Sequence, residues 1–372
     1  MKGFARSGQW AVRLVTLIAC FLIAPAFAET RQVTDVLGRT VTIEAPAKRV
    51  VLGFHYGDYL AVGGEQAFDA VVGVSRGAWE RKVPANWALN VAHRPSLATL
   101  PDVGETENNS FSVEKVLALK PDLVVLAAWQ FQALDSEVKR LEQLGIPVVA
   151  IDYNAQTLER HLASTRLLGV ITGQEARATE LADFYAKVVQ DIQTRIAAAH
   201  RPKPRVYAEF GNKGPAEYSF TYGRNMWGAM VTLAGGDNIA APFIQWWGVM
   251  NPEQVLLAQP EVIFISGRED NSNPTALPMG PGVTADDARS HLRAFMQRPG
   301  WANLPAIRDG RLYAVYQGAS RSLEDFAMLQ FIAKQLYPDL FQDVDPMANY
   351  REYYRRYMPI QPEGTFAIGL TP

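Results

Sequence analysis

Cysteine is nearly absent from this 372-residue chain, Cys20 being the only one. That excludes a disulfide framework, a cysteine-based zinc site and an iron–sulfur cluster. Histidine is scarce as well: His55, His93, His161, His200 and His291 are scattered, with no His-rich loop. Such scatter argues against a bare transition-metal site, which gathers several histidines and a carboxylate. Neither sign of charge is in excess, since 36 Lys and Arg face 38 Asp and Glu for a formal net charge of -2. A nucleic-acid binder usually concentrates basic residues, so that class is disfavoured. No apolar run reaches the roughly 20 residues needed to cross a bilayer. Walker loops, GxGxxG turns and HExxH zinc motifs are also missing, which removes the commonest phosphate-binding and metalloprotease signatures.

What is present begins with a leader. Lys2, Arg6 and Arg13 precede the apolar run Leu14–Ala24, and Ala26-Phe27-Ala28 is a small-x-small cleavage signature before Glu29. Leu17-Ile18-Ala19-Cys20 resembles a bacterial lipoprotein box, but Phe21-Leu22-Ile23-Ala24 continues the apolar run where lipoproteins turn polar. The expectation is a signal peptide over residues 1–28, cleaved after Ala28 to give a periplasmic protein. Lipid anchoring at Cys20 is the alternative. Beyond the leader, 48% hydrophobic and 20% charged residues describe a folded chain rather than a disordered one. At roughly 150 residues per domain the length suggests two domains.

Continuous Val/Ile/Leu runs predict strands at Arg49–Phe54, Ala70–Val74, Leu123–Ala128 and Pro147–Asp152. A second set follows at Arg205–Phe210, Val262–Ser266 and Leu312–Tyr316. Runs apolar on both faces belong to buried parallel sheets. Between the sets, Leu181, Phe184, Tyr185, Val188, Val189, Ile192 and Ile196 form one helical stripe, which Arg201-Pro202 stops. Thr172 with Glu175 reads as its capping box. From Gln174 to Ala199 this helix would run roughly 39 Å at 1.5 Å per residue, long enough to act as a strut. The segment Glu114–Leu126 repeats without a gap as Glu253–Ile265: a short helix, a proline stop, then a buried strand. The expected fold is therefore α/β, with two similar lobes, each a mostly parallel sheet flanked by helices, joined by one long backbone helix. The N-terminal lobe would take 29–155, the linking helical segment 156–203 and the C-terminal lobe 204–372. A cleft between lobes is the expected binding site.

The residues following the predicted strands recur in type. His55, Tyr56, Arg76, Trp79 and Trp129 come from the first lobe; Tyr222, Arg224, Trp246, Trp247, Arg268, Tyr316 and Arg321 come from the second. Aromatic faces with guanidinium forks suit a bulky anionic ligand with planar parts. His55 or Tyr56 is the candidate should a metal be touched directly. The loop Arg268–Asp287 would either cover the cleft or form a surface insertion. His161 and His200, in or at the end of predicted helices, read as surface residues, and Trp227 as core. Gly73-Val74-Ser75-Arg76-Gly77 matches the G-x-S-x-G elbow of hydrolases, with Asp286 or Asp287 and His291 able to complete a triad. Pro84 and the lack of an apolar helical stripe after Gly77 weigh against that reading, so no catalysis is expected. Glu114 and Glu253 oppose the macrodipole of their helices, capped by Ser112 and Asn251, but that does not explain why the repeat carries one in each lobe.

Several segments together resemble the periplasmic substrate-binding proteins of iron–siderophore, haem and cobalamin ABC importers, the class with a long-helix backbone. They are Val33-Thr-Asp35-Val-Leu-Gly38-Arg39 through Arg49-Val50-Val51, the two Glu…Pro-acid segments, Ala234-Gly235-Gly236-Asp237-Asn238, Pro299-Gly300-Trp301, and Gly310-Arg311-Leu312-Tyr313. The resemblance implies a monomeric two-lobed carrier without a cofactor, delivering a small-molecule metal chelate to an inner-membrane permease. A ferric siderophore is the leading cargo; haem, a corrinoid or an oxyanion such as molybdate are the alternatives. It further implies that Glu114 and Glu253 dock against permease arginines, and a stiff strut implies little hinge closure.

Overall fold

The computed structural model of the chain describes residues 28–154, 157–269 and 272–371. The leader and Cys20 lie outside them. In the N-terminal lobe the parallel strands Val71–Val74, Val50–Leu52, Leu123–Ala127 and Val148–Ile151 lie side by side in that order. The last three are buried along their whole length, as their unbroken apolar sequences require. An antiparallel hairpin, Glu29–Thr34 with Thr40–Ala45, packs alongside, burying Val33 from its first strand and alternate residues Val41, Ile43 and Ala45 from its second.

The C-terminal lobe has its own seven-stranded sheet. Its parallel centre comprises Asp237–Asn238, Arg205–Phe210, Val262–Gly267 and Leu312–Tyr316. Antiparallel strands Phe220–Tyr222 and Trp247–Val249 extend one side, and Ala367–Gly369 closes the other. These additions are too short for an alternating pattern to announce them.

The internal repeat is a repeat of hydrogen bonds. Val50 pairs with Leu123 in one lobe and Val206 with Val262 in the other. Asp122 accepts the Arg49 amide at 3.0 Å, and Glu261 accepts the Arg205 amide at 2.9 Å. The Arg49 guanidinium donates to the carbonyls of Leu119 and Lys120, the Arg205 guanidinium to those of Ala258 and Gln259. Each arginine thereby satisfies the carbonyls that end the preceding short helix. Lys120 and Gln259, the residues before the stopping prolines, both turn left-handed, at φ 47° and 48°.

The strut is the helix Glu175–Ala199, burying Leu181, Tyr185, Val188, Val189 and Ile192. Its start differs from expectation. Thr172 ends the preceding helix, Leu158–Thr172, and its hydroxyl donates to the Leu168 carbonyl, so no capping box forms with Glu175. Glu175 pairs with Arg31 of the hairpin instead, at 2.6 Å. The strut grips both halves of the molecule. Arg177 donates to the carbonyls of Ala61 and Tyr357, and Tyr185 donates to Asp325 at 2.8 Å. His161 is fully buried rather than on the surface, stacked on Tyr185 at 4.5 Å and edge-on to Tyr153. His200 is exposed at the helix end.

Candidate functional site

Each lobe delivers a strand end to the same gap. After Val50–Leu52 the chain passes through Phe54 and a left-handed His55 (φ 56°, ψ 40°) into the helix Tyr56–Ala67. After Leu312–Tyr316 it turns through Gln317–Ala319 to Arg321, also left-handed at φ 68°. Non-glycine residues seldom hold this conformation, and it collects at functional sites. Between the two ends opens a cleft. Its N-terminal wall is Phe54, His55, Tyr56, Asp58, Trp79, Lys82 and Asn86; opposite stand Tyr316, Arg321 and Glu324, with Tyr353, Tyr354 and Met358 arriving from the C-terminal helix Pro346–Tyr357 and its end.

On the N-terminal wall the polar atoms of Tyr56 and Trp79 are hydrogen-bonded, whereas both buried ring nitrogens of His55 lack a hydrogen-bond partner. Tyr56 stacks on Trp79 at 4.7 Å, and Trp79 meets Trp87 edge-on. The Tyr56 hydroxyl donates to the Ser75 carbonyl at 2.5 Å and lies 3.1 Å from that of Gly53. Burial raises its pKa well above the ordinary phenol value. It is therefore poorly placed to give up its proton to a metal. His55 is buried, with Nδ1 3.3 Å from Asp58 Oδ2. Among the described residues no three His, Cys, Asp or Glu side chains converge as a metal-holding group.

Charge in the cleft comes from the cations Lys82 and Arg321 and the acids Asp58 and Glu324, with Glu269 behind Tyr316. Lys82 pairs with Glu107, and burial lowers its pKa. Arg321 lies 5.3 Å over the Phe54 ring; its Nε has no hydrogen-bond partner, and burial again lowers its pKa. Burial pushes Glu324 up to about 8, and also raises Glu269, which accepts from the Tyr316 hydroxyl at 3.2 Å.

Of the residues singled out by sequence, the cleft brings together His55, Tyr56, Trp79, Tyr316 and Arg321. Arg76 instead pairs with Glu80 at 2.8 Å and lies over Trp87. Trp129 backs Phe54 edge-on, and Tyr222 is buried with its hydroxyl 3.3 Å from Gln317, which also accepts from the buried Trp227. Arg224 is exposed, Arg268 lies over Phe210, and Trp246 and Trp247, just before and at the start of the edge strand, are both more than half exposed. The loop after Arg268 is tied to the C-terminal lobe, with Leu277 and Met279 fully buried and Gly280–Pro281 paired to Gly364–Thr365. Lys82, Asn86, Glu324, Tyr353 and Tyr354 escaped the sequence expectation, which followed strand ends only. The close tyrosine spacing in Tyr350-Arg-Glu-Tyr353-Tyr354 was the available signal for the last two.

Glu114 and Glu253 stand exposed at the starts of matching helices, Val113–Ala118 and Pro252–Ala258. Ser112 accepts from the Lys115 amide and Asn251 from the Glu253 amide, so both caps form as expected. Arg140 binds Glu114 at 2.8 Å. Helices do open after Ser75, at Gly77 and Pro84, contrary to the sequence expectation. The hydrolase geometry is nevertheless missing. The Ser75 hydroxyl is buried without a partner, while the His291 nitrogens lie 3.0 Å and 3.2 Å from the carbonyls of Asp287 and Pro274.

Comparison with known proteins decides the family. The profile of the periplasmic binding protein family matches residues 63–317, well over half of the chain. The chain belongs to this family. The TroA-like periplasmic binding protein FepB of Veillonella parvula is 33% identical in sequence, with a TM-score of 0.85 over 91% of this chain and 99% of that one. The molybdate-binding protein MolA of Haemophilus influenzae is 27% identical over 92% of this chain and 95% of its own. A vitamin B12-binding protein of Pectobacterium atrosepticum is 31% identical, over 43% of this chain and 56% of its own. This periplasmic binding protein is thus of the class that serves ABC transporters, carrying small-molecule ligands to a membrane permease, and it is not an enzyme. No helix among the described residues is long and apolar enough to cross a membrane.

Proposed function

We propose that this protein captures an anionic metal chelate, of the ferric siderophore kind, in the inter-lobe cleft. It would be exported by the leader, cleaved after Ala28, and would work as a monomer. The observation that supports this reading is Arg321: a guanidinium that forms no salt bridge among the described residues, Glu107 acting on it only at longer range, laid over Phe54 in an aromatic-walled cleft. A planar, delocalised cation over an aromatic face matches carboxylate or phenolate oxygens on a ligand with flat apolar parts. Native mass spectrometry of the protein purified from its own periplasm tests it, the expected result being a retained mass that carries iron. A retained iron-free organic molecule would overturn the chelate assignment.

A second reading, an oxyanion such as molybdate, draws on the MolA relationship along nearly the whole chain. Calorimetric titration separates the two. A ferric chelate that binds while molybdate does not supports the first; the reverse supports the second. Glu114 and Glu253, exposed at matching places of the two lobes, would meet the permease. The double change Glu114→Ala with Glu253→Ala should leave ligand affinity intact and impair uptake. Loss of ligand binding in the purified variant would refute that role.

A further inference from the structure

Asp58 lies in the first turn of the helix Tyr56–Ala67, where an acid opposes the macrodipole. That local role needs no burial, yet Asp58 is 2% exposed and lines the cleft. A buried carboxylate is costly unless its oxygens are matched. One oxygen, Oδ1, accepts the amide of Leu323 at 2.6 Å, from the opposite lobe. The other, Oδ2, lies 3.3 Å from His55 Nδ1. The same carboxylate therefore reaches both left-handed turns that frame the cleft, since His55 sits at φ 56° and Leu323 follows closely on Arg321 at φ 68°.

Arg321 needs support from outside its own side chain. Its Nε is buried without a hydrogen-bond partner, its guanidinium lies 5.3 Å over the Phe54 ring, and it forms no salt bridge among the described residues. The backbone must then set where the guanidinium stands. On its own lobe the turn is braced as far as Ser322, the Ser320 hydroxyl donating to the Gln317 carbonyl at 2.8 Å and the Ser322 hydroxyl to the Ala319 carbonyl at 3.1 Å. Beyond that point Leu323 is buried, and its amide is held by Asp58. A left-handed arginine persists where its surroundings over-determine it, and Asp58 supplies the constraint on the far side.

We propose that Asp58 is a positioning residue for anion binding: from the first lobe it holds the Arg321–Leu323 segment of the second, and so fixes the guanidinium that meets the cargo. It acts through that segment rather than by touching the cargo. This rests on the reading of the cargo as an anion seated on Arg321. Recognition then depends on the register of the two lobes, because the cation of one is aimed by the acid of the other.

A double-mutant cycle tests this, read by calorimetry with two probes, the iron(III) complex of a tris-catecholate and molybdate. Asp58→Ala should weaken whichever probe the wild type binds by about tenfold or more. Asp58→Asn, which keeps an acceptor oxygen, should recover most of that loss. In the Arg321→Ala background, Asp58→Ala should shift affinity by less than about twofold, since no guanidinium is left to aim. A residue that merely supported the fold would give the same loss in both backgrounds, and such additivity would overturn the inference. So would an Asp58→Ala protein that binds as the wild type does, or an Asp58→Asn protein that binds more tightly, which would mark the carboxylate as a repelling charge. Should Asp58→Ala not fold, Asp58→Glu, whose longer arm displaces the carboxylate from the Leu323 amide, enters the same cycle, with a loss expected beside Arg321 and none without it. The two ideas fail separately. If Arg321→Ala weakens binding while the Asp58 variants do not, this inference falls alone. If the wild type binds neither probe, or Arg321→Ala binds as tightly as the wild type, the anionic-cargo reading falls and this inference with it.

Discussion

The two lobes share a frame and differ in what hangs on it. Strand register, the arginine that ties off the short helix, the acid that holds the next strand and the left-handed residue before proline recur in both. Three residues beyond Val50 stands Gly53, whereas three beyond Val206 stands Glu209. In the N-terminal lobe a Cβ at Gly53 would come within 2.7 Å of Gln130 Oε1, and Gln130 donates to the Gly53 carbonyl. In the C-terminal lobe the same point carries a buried bidentate pair, Arg298 with Glu209 at 2.7 Å and 2.8 Å, completed by Tyr207 and the Ser219 amide. One lobe closes its sheet end by intimacy, the other by charge. The cleft walls differ as well: the first lobe brings a stacked aromatic pair with Asp58 and Lys82, the second brings Arg321 and Glu324 among unstacked tyrosines. Repetition therefore builds the scaffold, and departure from repetition supplies the recognition.

The sharpest way to break this comparison is at that paired position. Glu209→Ala leaves Arg298 charged and buried and should cost about 3–5 kcal/mol in denaturant unfolding. Gly53→Ala should cost less, about 1–3 kcal/mol, through crowding against Gln130 and Leu126; equal losses would erase the distinction. Next, Arg321→Ala should weaken binding of an anionic chelate by about 1.5–3 kcal/mol in calorimetry. Arg76→Ala, already paired with Glu80, should change it by less than about 0.5 kcal/mol. The shared frame predicts matched effects: Asp122→Ala and Glu261→Ala should each lower stability by about 1–2 kcal/mol, and a large disparity would show that one copy has drifted in role.

The smallest effect concerns pH. Glu324 holds its proton in the folded chain up to about 8, whereas an unfolded glutamate loses it near its ordinary value. Between those limits the unfolded state binds fewer protons, so stability falls as pH rises through that window, and the contribution is gone above it. Glu324→Gln should remove this slope. At pH 9 it should melt above the wild type, and the difference should shrink as the pH is lowered through that window.

Where the sequence carried its own physical signature, it could be read. Val148–Ile151 and Val262–Gly267 are apolar on both faces, and a buried strand is the only economical home for them. The strut was visible because its stripe persists for many turns. Its beginning was not, since Thr172 satisfies its hydroxyl within the preceding helix. His161 misled because helical periodicity does not reveal a second layer, here Tyr153 and Tyr185, closing over it. In the cleft, Arg321 and Trp79 were accessible because they follow strands. Tyr353 and Tyr354 were not, because their helix returns to the site from far along the chain, and no local pattern encodes that return.

Arg177 gives the strut a further significance. Its guanidinium holds the Ala61 carbonyl of the first lobe with one edge and the Tyr357 carbonyl beside the second with the other. If this clasp limits opening of the halves, unloading would fall to the transporter, and the rate of import should then follow its mechanical work rather than the spontaneous escape of cargo in solution.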